Sequence, residues 1–325
     1  MDKNKIFSIT SETEFKEIAL EVFKLQAEKC SVYKQYTTYL NIKIDQINDV
    51  YDIPFLPIEF FKTHQVILKG EVSEQIFSSS GTTGTQTSKH YVSDLSIYEE
   101  SFRTCFEQFY SDKKDMAILA LLPSYLERTG SSLIYMVDDL IKSSNRPESG
   151  YFLYNHDELY SNLLSLKEKK TPTILFGVTY ALLDFIETYE MNFPQLIVME
   201  TGGMKGKRKE IIREELHEIL CKGFGVASIH AEYGMTELLS QAYSKGNGLF
   251  DCPPWMKILI RDLNDPFTYQ KTYFTGGINI IDLANVNSCS FISSHDLGRL
   301  NTDKQFEVLG RFDQSDVRGC NLMIQ

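Results

Sequence analysis

Apolar and polar positions follow a helical period near the amino terminus. Ser11 and Glu14 have the spacing of a capping box, and apolar side chains recur three and four positions apart behind them. The pattern predicts an amphipathic helix that packs through one stripe, made of Phe15, Ile18, Ala19, Val22 and Phe23. Residues 51–61 combine two prolines with many apolar side chains, which predicts extended chain lying against the core.

From residue 116 onward the period alternates between that of a strand and that of a helix. Buried strands are predicted for the short apolar runs at 116–122, 173–177, 195–200 and 226–231. Helices between them are predicted at 133–141, 179–190 and 207–222. Such alternation is typical of an α/β fold with a doubly wound, mostly parallel sheet.

After residue 250 the helical period is lost. Short runs at 257–261, 277–283 and 289–293 predict a smaller β-rich subdomain. We therefore expect residues 1–250 to form an N-terminal helical region and an α/β core. Residues 251–310 would form the β-rich part of the same compact lobe.

Composition narrows the class of protein. The 325 residues include 33 Lys and Arg against 44 Asp and Glu, a formal net charge of −11, which disfavours a nucleic-acid-binding scaffold. The longest apolar run is far shorter than the about 20 residues that cross a bilayer, so we expect no membrane span and no signal segment. Six dispersed cysteines without a C-x-x-C pair favour reduced thiols and a cytoplasmic location.

The segment 78–90 is rich in hydroxyl side chains and contains two glycines three positions apart. Backbone N–H groups and hydroxyls in such a loop can surround phosphate oxygens, and Lys89 adds a positive charge. The segment lacks the G-K-[ST] ending of a Walker loop, and polar surface turns share its composition, so both interpretations remain open. The candidate nucleotide-binding residues are Ser79, Ser80, Gly81, Thr82, Thr83 and Gly84.

A second polar segment, 230–237, follows a predicted strand, where α/β sheets bind ligands. Tyr233 offers an aromatic face for a base, and Gly234 lets the backbone approach a ligand closely. Thr236 supplies a hydroxyl, and Glu237 an oxygen ligand for Mg²⁺. Asp296 lies in a predicted loop, 293–299, from which its carboxylate could accept hydrogen bonds from a ribose diol.

In order and spacing these segments resemble the adenylate-forming superfamily of acyl-CoA ligases, luciferases and peptide-synthetase adenylation domains. Its motifs are a Ser/Thr/Gly phosphate loop (79–89 here), a Tyr-Gly-x-Thr-Glu loop (233–237), an Asp-bearing ribose loop (Asp296) and a Gly-Arg-x-Asp hinge (310–313). The chain is most similar to acyl-protein synthetases of the LuxE type and, more distantly, to phenylacetate-CoA ligase. This narrower likeness is carried by IPFLPIEFFKTH (53–64), PSYLERTGSSLIYMVDDLI (123–141), ETGGMKG (200–206) and RGC (318–320).

The resemblance implies a two-step reaction that uses ATP and Mg²⁺. A carboxylic acid, expected to be a fatty acid, forms an acyl-adenylate, and the acyl group then passes to a protein thiol. Glu237 would bind the metal, Thr236 and Lys89 would be catalytic, and Asp296 and Arg311 would contact the ribose. The implied adenine-side residues are Gly202, Gly203, Glu232, Tyr233, Gly234 and Met235.

The implied acyl acceptor is Cys320, in a hinge stub formed by residues 311–325, although a packed structural cysteine is the alternative. Tyr125 and His230 are candidates for the acyl pocket, and a core histidine is an equal alternative for His230. An acyl reductase or an acyl carrier protein would be the partner. The lysine-bearing C-terminal domain of the full-length ligases is expected to be absent.

Two other functions remain open at this level. One is an acyl- or aryl-CoA ligase of the phenylacetate-CoA ligase type, which would use coenzyme A directly. The other is a non-catalytic module that binds a nucleotide or an acyl group.

Overall fold

A computed structural model describes residues 3–79, 86–110, 115–123, 130–203, 207–209 and 211–311. The chain divides into two compact units. Among the described residues, the first unit contains those up to 101, the short segment 236–240 and those from 251 onward. The second unit contains residues 102–235 and 241–250.

The second unit carries the α/β core. Its parallel strands are β4 (Ala117–Leu121), β5 (Gly150–Tyr151), β6 (Thr173–Val178), β7 (Ile197–Thr201) and β8 (His230–Tyr233). They lie in the order β5-β4-β6-β7-β8, and β9 (Ala242–Ser244) and β10 (Leu249–Asp251) continue the sheet beyond β8. The order reverses at β4, which is the switch point of a doubly wound fold. The mostly parallel α/β sheet predicted from the sequence is thereby confirmed.

Helices connect these parallel strands. They are α6 (Ser132–Ser143), α7 (His156–Glu168), α8 (Thr179–Thr188) and α9 (Arg213–Phe224), and α5 (Leu95–Tyr110) precedes β4. Every residue of β4 and β6 is buried, because parallel strands are covered on both faces. The predicted helix start at 207 is wrong. Residues 207–209 are not helical, and Arg208 instead forms ion pairs with Asp184 and Glu187.

The first unit begins with α1 (Lys3–Phe7), α2 (Glu12–Lys29) and α3 (Ser31–Tyr39). The predicted capping box at the start of α2 is confirmed: Ser11 accepts from the backbone of Glu14, and the Glu14 carboxylate accepts from the backbone of Ser11. The Pro-rich segment is only partly extended. It contains a 3₁₀ turn (Val50–Asp52), β1 (Leu56–Pro57) and the start of α4 (Phe60–Thr63).

An antiparallel sheet follows in the same unit, in agreement with the predicted β-rich part. It consists of β11 (Met256–Arg261), β12 (Gly276–Asp282), β13 (Phe291–Leu300) and β14 (Phe306–Arg311), and β1 pairs with β13 in parallel. A separate hairpin pairs β2 (Gln75–Ser78) with β3 (Lys89–Val92). Within the described ranges, no helix is long and apolar enough to cross a membrane.

Candidate active site

The segment Thr236–Ser240, which contains two of the predicted catalytic residues, is held by side chains of the first unit. Asp282, the last residue of β12, accepts from the backbone N–H groups of Leu239 (2.8 Å) and Ser240 (3.0 Å) and from the Ser240 hydroxyl (2.6 Å). Asn285 donates from Nδ2 to the carbonyl oxygen of Glu237 at 2.8 Å. We call residues 236–240 the motif segment. Its backbone position is set by these distant side chains, since the segment belongs to no helix or strand.

His90 holds the start of the motif segment. Its Nδ1 lies 2.9 Å from the carbonyl oxygen of Thr236, and its ring packs edge-on against Phe61. A carbonyl oxygen only accepts, so Nδ1 must carry the proton. Burial lowers the pKa of His90 to about 4, and the ring is therefore neutral near pH 7. His90 ends the polar segment 78–90 and is not among the residues predicted from the sequence to bind a ligand.

Glu237 is buried, with 6% of its surface exposed. Burial raises the pKa of its carboxyl group, while a hydrogen bond from the Ser88 hydroxyl and the charges of Arg311 and Lys62 act in the opposite direction. The Glu237 carboxylate, a candidate metal ligand, thus lies beside the Ser88 hydroxyl. The positive charges of Arg311 and Lys62 also act on it. Lys62, in α4, was not selected from the sequence as a site residue.

Lys89, predicted from the sequence as a catalytic cation of the phosphate loop, lies between two buried residues. Ser88 and His90 are buried whereas Lys89 is exposed, as the two-residue period of a strand requires. Lys89 therefore points away from the face on which Ser88 contacts Glu237. Ser79 lies across the hairpin from Ser88: its hydroxyl accepts from the backbone of Ser88 at 2.9 Å.

Asp296 and Arg311 lie opposite each other on the paired strands β13 and β14. Arg311 Nε is 3.3 Å from Asp296 Oδ1, and the Arg311 side chain is 72% exposed. The prediction that 293–299 forms a loop is wrong, because β13 extends through Leu300. The pairing with β14 holds the carboxylate and the guanidinium side by side, an arrangement that can bind a diol.

The second unit contributes the candidate adenine-side residues at the carboxyl ends of β7 and β8. Thr201 donates from its hydroxyl to Glu232 Oε2 at 2.7 Å, which links the ends of these neighbouring strands. Burial raises the pKa of Glu232 to about 7, against the effect of this hydrogen bond. Gly202 follows with a φ of 73°, a left-handed conformation that favours glycine.

Tyr233 and the residues after it continue from β8. The Tyr233 ring is buried and packs edge-on against Phe250, with 6.0 Å between the ring centroids. A Cβ atom at Gly234 would overlap Oε1 of Glu232, so a side chain there would require the Glu232 carboxylate to move. Gly203 has open space around its Cα, and Met235 is partly exposed.

A buried carboxylate, Glu200, precedes Gly202 and was not among the residues predicted from the sequence. Glu200, at 5% exposure, lies 3.0 Å from His217 Nε2 and 3.5 Å from Arg213 Nε, both on α9. Thr179 donates to its other carboxylate oxygen at 3.3 Å. These contacts tie the end of β7 to the starts of α8 and α9. No local sequence pattern relates Glu200 to Arg213 and His217, which lie on a different element.

His230 is not brought to the carboxyl edge of the sheet. The strand predicted at 226–231 begins at His230, which places this residue at the amino end of β8 and Tyr233 at the other end. His230 Nδ1 lies 3.1 Å from the Tyr110 hydroxyl. Burial, together with the charge of Lys245, lowers its pKa to about 4.

Several predicted residues lie outside the described ranges. They are Ser80, Gly81, Thr82, Thr83 and Gly84 of the phosphate loop, Tyr125 of the acyl pocket and Cys320. Their assignments stay predictions.

The sequence resemblance implies Mg²⁺, whose usual protein ligands are one or two carboxylates together with substrate phosphates. Over the residues that the structure describes, no group of three or more His, Cys, Asp or Glu side chains is arranged to hold a metal ion. Glu237 supplies one buried carboxylate, and the positive charge of a metal would offset the desolvation that raises the pKa of this group. The residues therefore fit a metal held mainly by nucleotide phosphates.

Neither a protein-family model nor a curated protein matches the sequence. Solved structures do match. A 2-hydroxyisobutyryl-CoA ligase in the postadenylation state with 2-HIB-AMP has a TM-score of 0.67 at 10% identity, over 93% of this chain and 68% of that one. ATP-bound MatB from Rhodopseudomonas palustris has a TM-score of 0.54 at 16% identity, over 73% of this chain and 47% of that one.

A third similar structure is the luciferase-like enzyme from the nonluminescent Zophobas morio mealworm. It has a TM-score of 0.53 at 14% identity, over 76% of this chain and 60% of that one. Against MatB, the chain thus spans about half of the other protein's length. At these low identities the shared property is the architecture: the protein has the mixed α/β fold of adenylate-forming enzymes.

Proposed function

We propose that the protein activates a carboxylic acid with ATP, forming an acyl-adenylate and pyrophosphate. The observation that carries this proposal is the buried Glu237 on the clamped motif segment, with Ser88 bonded to it and two cations nearby, in a fold shared with CoA ligases. In the first step a carboxylate oxygen attacks the α-phosphorus, and the bond from that phosphorus to pyrophosphate breaks. Such catalysis depends mainly on positioning and on neutralising phosphate charge.

The residues of the first unit have distinct parts in this proposal. Glu237 would hold Mg²⁺, which lowers the charge on the phosphates when bound. Lys62 would balance part of the remaining phosphate charge, and Asp296 and Arg311 would form hydrogen bonds with the ribose hydroxyls. In the second unit, the Gly202–Gly203 turn and Tyr233 would contact the adenine.

For the second step we propose transfer of the acyl group to a protein thiol, with Cys320 as the acceptor and a fatty acid as the substrate. A thiolate attacks the acyl carbon, a thioester forms and AMP leaves. This assignment is supported by the LuxE-type segments of the sequence. A coenzyme A ligase is the second candidate, favoured by the similar 2-hydroxyisobutyryl-CoA ligase solved with both 2-HIB-AMP and CoA.

Pyrophosphate release and intact-mass spectrometry test the proposal on wild type and Cys320→Ser. The protein is incubated with Mg·ATP and a panel of carboxylic acids, with and without coenzyme A. An acyl adduct that Cys320→Ser abolishes supports transfer to that thiol, whereas acyl-CoA without an adduct supports the ligase. Absence of both pyrophosphate and adduct with every acid would refute the enzymatic function and leave a binding module.

Glu237→Gln tests the metal assignment separately. We expect pyrophosphate release to fall by roughly 100-fold or more, because an amide is a poor Mg²⁺ ligand and carries no charge. Glu71→Gln, at an exposed position of the same unit, is the matched control. Equal activity in the two variants would contradict the role of Glu237.

A further inference from the structure

A small cavity lies directly behind the motif segment in the first unit. Its lining includes His90, Ser93 and Asn285, and it offers about 10 Å³ to the centre of a water-sized molecule. Each of these three residues has a buried polar atom without a hydrogen-bond partner among the described residues: His90 Nε2, Ser93 Oγ and Asn285 Oδ1. His90 and Asn285 are fully buried. Unpaired buried polar atoms are costly, and three around one cavity point to a shared partner.

The direction of the neighbouring hydrogen bonds determines what that partner must supply. His90 uses Nδ1–H for the carbonyl of Thr236, which leaves Nε2 as an acceptor. Asn285 uses its amide N–H for the carbonyl of Glu237, which leaves Oδ1 as an acceptor. The Ser93 hydroxyl can donate or accept. The occupant must therefore donate two hydrogen bonds, and it can accept one.

A single water molecule meets these requirements. A buried water needs two to four polar partners and a volume of roughly 10–15 Å³ for its centre. A monovalent cation fits less well, because two oxygens and one nitrogen are few ligands for it. Asp94, whose carboxylate would favour a cation, also lines the cavity.

We infer that one buried water binds His90 Nε2, Asn285 Oδ1 and the Ser93 hydroxyl, and that it joins the two side chains that hold the carbonyls of Thr236 and Glu237. The water then forms part of the support behind the motif segment. Because a side chain with all its hydrogen bonds made has one preferred orientation, the water fixes both clamping side chains at once.

A high-resolution crystal structure of the full chain tests the occupant directly. The expected result is one peak of water density within hydrogen-bond distance of all three atoms. Crystals grown with Rb⁺ provide a second test. An anomalous peak in the cavity would show that a cation, and not a water molecule, occupies it, and this result would overturn the proposal. An ordered cavity without density would overturn it as well.

Ser93→Val provides a test by stability. Its two methyl groups would displace the water and leave the acceptors of His90 and Asn285 unpaired, so we expect the folding equilibrium constant to fall roughly tenfold or more. If the cavity holds no water, filling it with methyl groups stabilises the protein instead, and the sign of the change reverses. Ser73→Val, at a partly exposed position outside the cavity, is the control and should show little change.

The consequence for catalysis rests on the proposed function. In Ser93→Val, at a temperature where the protein stays folded, kcat for pyrophosphate release should fall while KM for the carboxylic acid is unchanged. If the wild-type protein releases no pyrophosphate, the proposed function is refuted. The crystal density and the sign of the stability change would still show whether the cavity contains a water molecule.

Discussion

Gln26 offers a sharp test of how the first unit is held together. This residue of α2 is fully buried, and its amide is hydrogen-bonded to the segment that follows β12. The two N–H groups of Nε2 donate to three acceptors, so one N–H is shared; the acceptors are the carbonyls of Asn285 (2.9 Å) and Val286 (3.0 Å) and the Ser290 hydroxyl (3.1 Å). Oε1 accepts from the Ser290 backbone N–H at 2.9 Å. The same segment carries the Asn285 side chain that holds Glu237.

Gln26→Met keeps the length and approximate volume of the side chain and removes the two N–H donors and the oxygen acceptor that make these hydrogen bonds. At about 1 kcal/mol for each of these buried neutral groups, we expect the free energy of unfolding to fall by about 3 kcal/mol. A typical domain has only about 5–15 kcal/mol in total, so the loss is a large fraction of it. Gln26→Glu should also destabilise, because a carboxylate oxygen would then face two carbonyls.

Urea unfolding measures the effect. Trp255 is the one tryptophan of the chain and is buried in the same unit, with Nε1 donating to Ser240 Oγ at 2.9 Å. Its fluorescence reports unfolding, and circular dichroism supplies a second probe. Gln35→Met, on an exposed position of α3, is the matched control. If the unfolding midpoint of Gln26→Met shifts no more than that of the control, the hydrogen bonds of Gln26 do not stabilise the first unit as proposed.

Three further predictions follow from groups in the two units. The folded-state pKa of His90 is about 4, below the usual 6.5, so its contribution to stability is present above pH 6.5 and is lost as pH falls toward 4. His90→Asn should therefore reduce the loss of urea resistance between about pH 7 and about pH 5, and an unchanged pH slope would contradict the assignment. The pKa of Glu232 is raised to about 7, so its contribution is present at low pH and is lost as pH rises through 7. Glu232→Gln should remove this loss, which urea titrations at about pH 4.5 and about pH 8 would detect, since the loss occurs between the usual pKa of a glutamate and about 7. Gly277→Ala would place a methyl group against the buried Arg261 guanidinium and should cost about 1–3 kcal/mol in urea unfolding, whereas Gly150→Ala, with open space around it, should be nearly neutral.

Local patterns predicted most of the elements. The apolar runs of β4 and β6 and the stripe of α6 fall within one or two residues of their predicted bounds, because each is determined by side-chain period and burial. The errors lie where tertiary contacts override the local pattern. The polar segment 293–299 has the composition of a loop, yet pairing with both β12 and β14 makes it part of β13.

The candidate site shows the same division. The sequence by itself determined the α/β alternation, the capping box of α2 and the identity of the Thr236–Glu237 motif, since all three depend on residues close together in the chain. Only the tertiary structure decided that Ser88 and His90, rather than Lys89, face this motif, and that Asn285 and Asp282 hold its backbone. His90 and Thr236 are separated by 146 positions, and no local period relates them. Hydrogen bonds between such distant residues arise only when the segments that contain them are brought together in the folded unit.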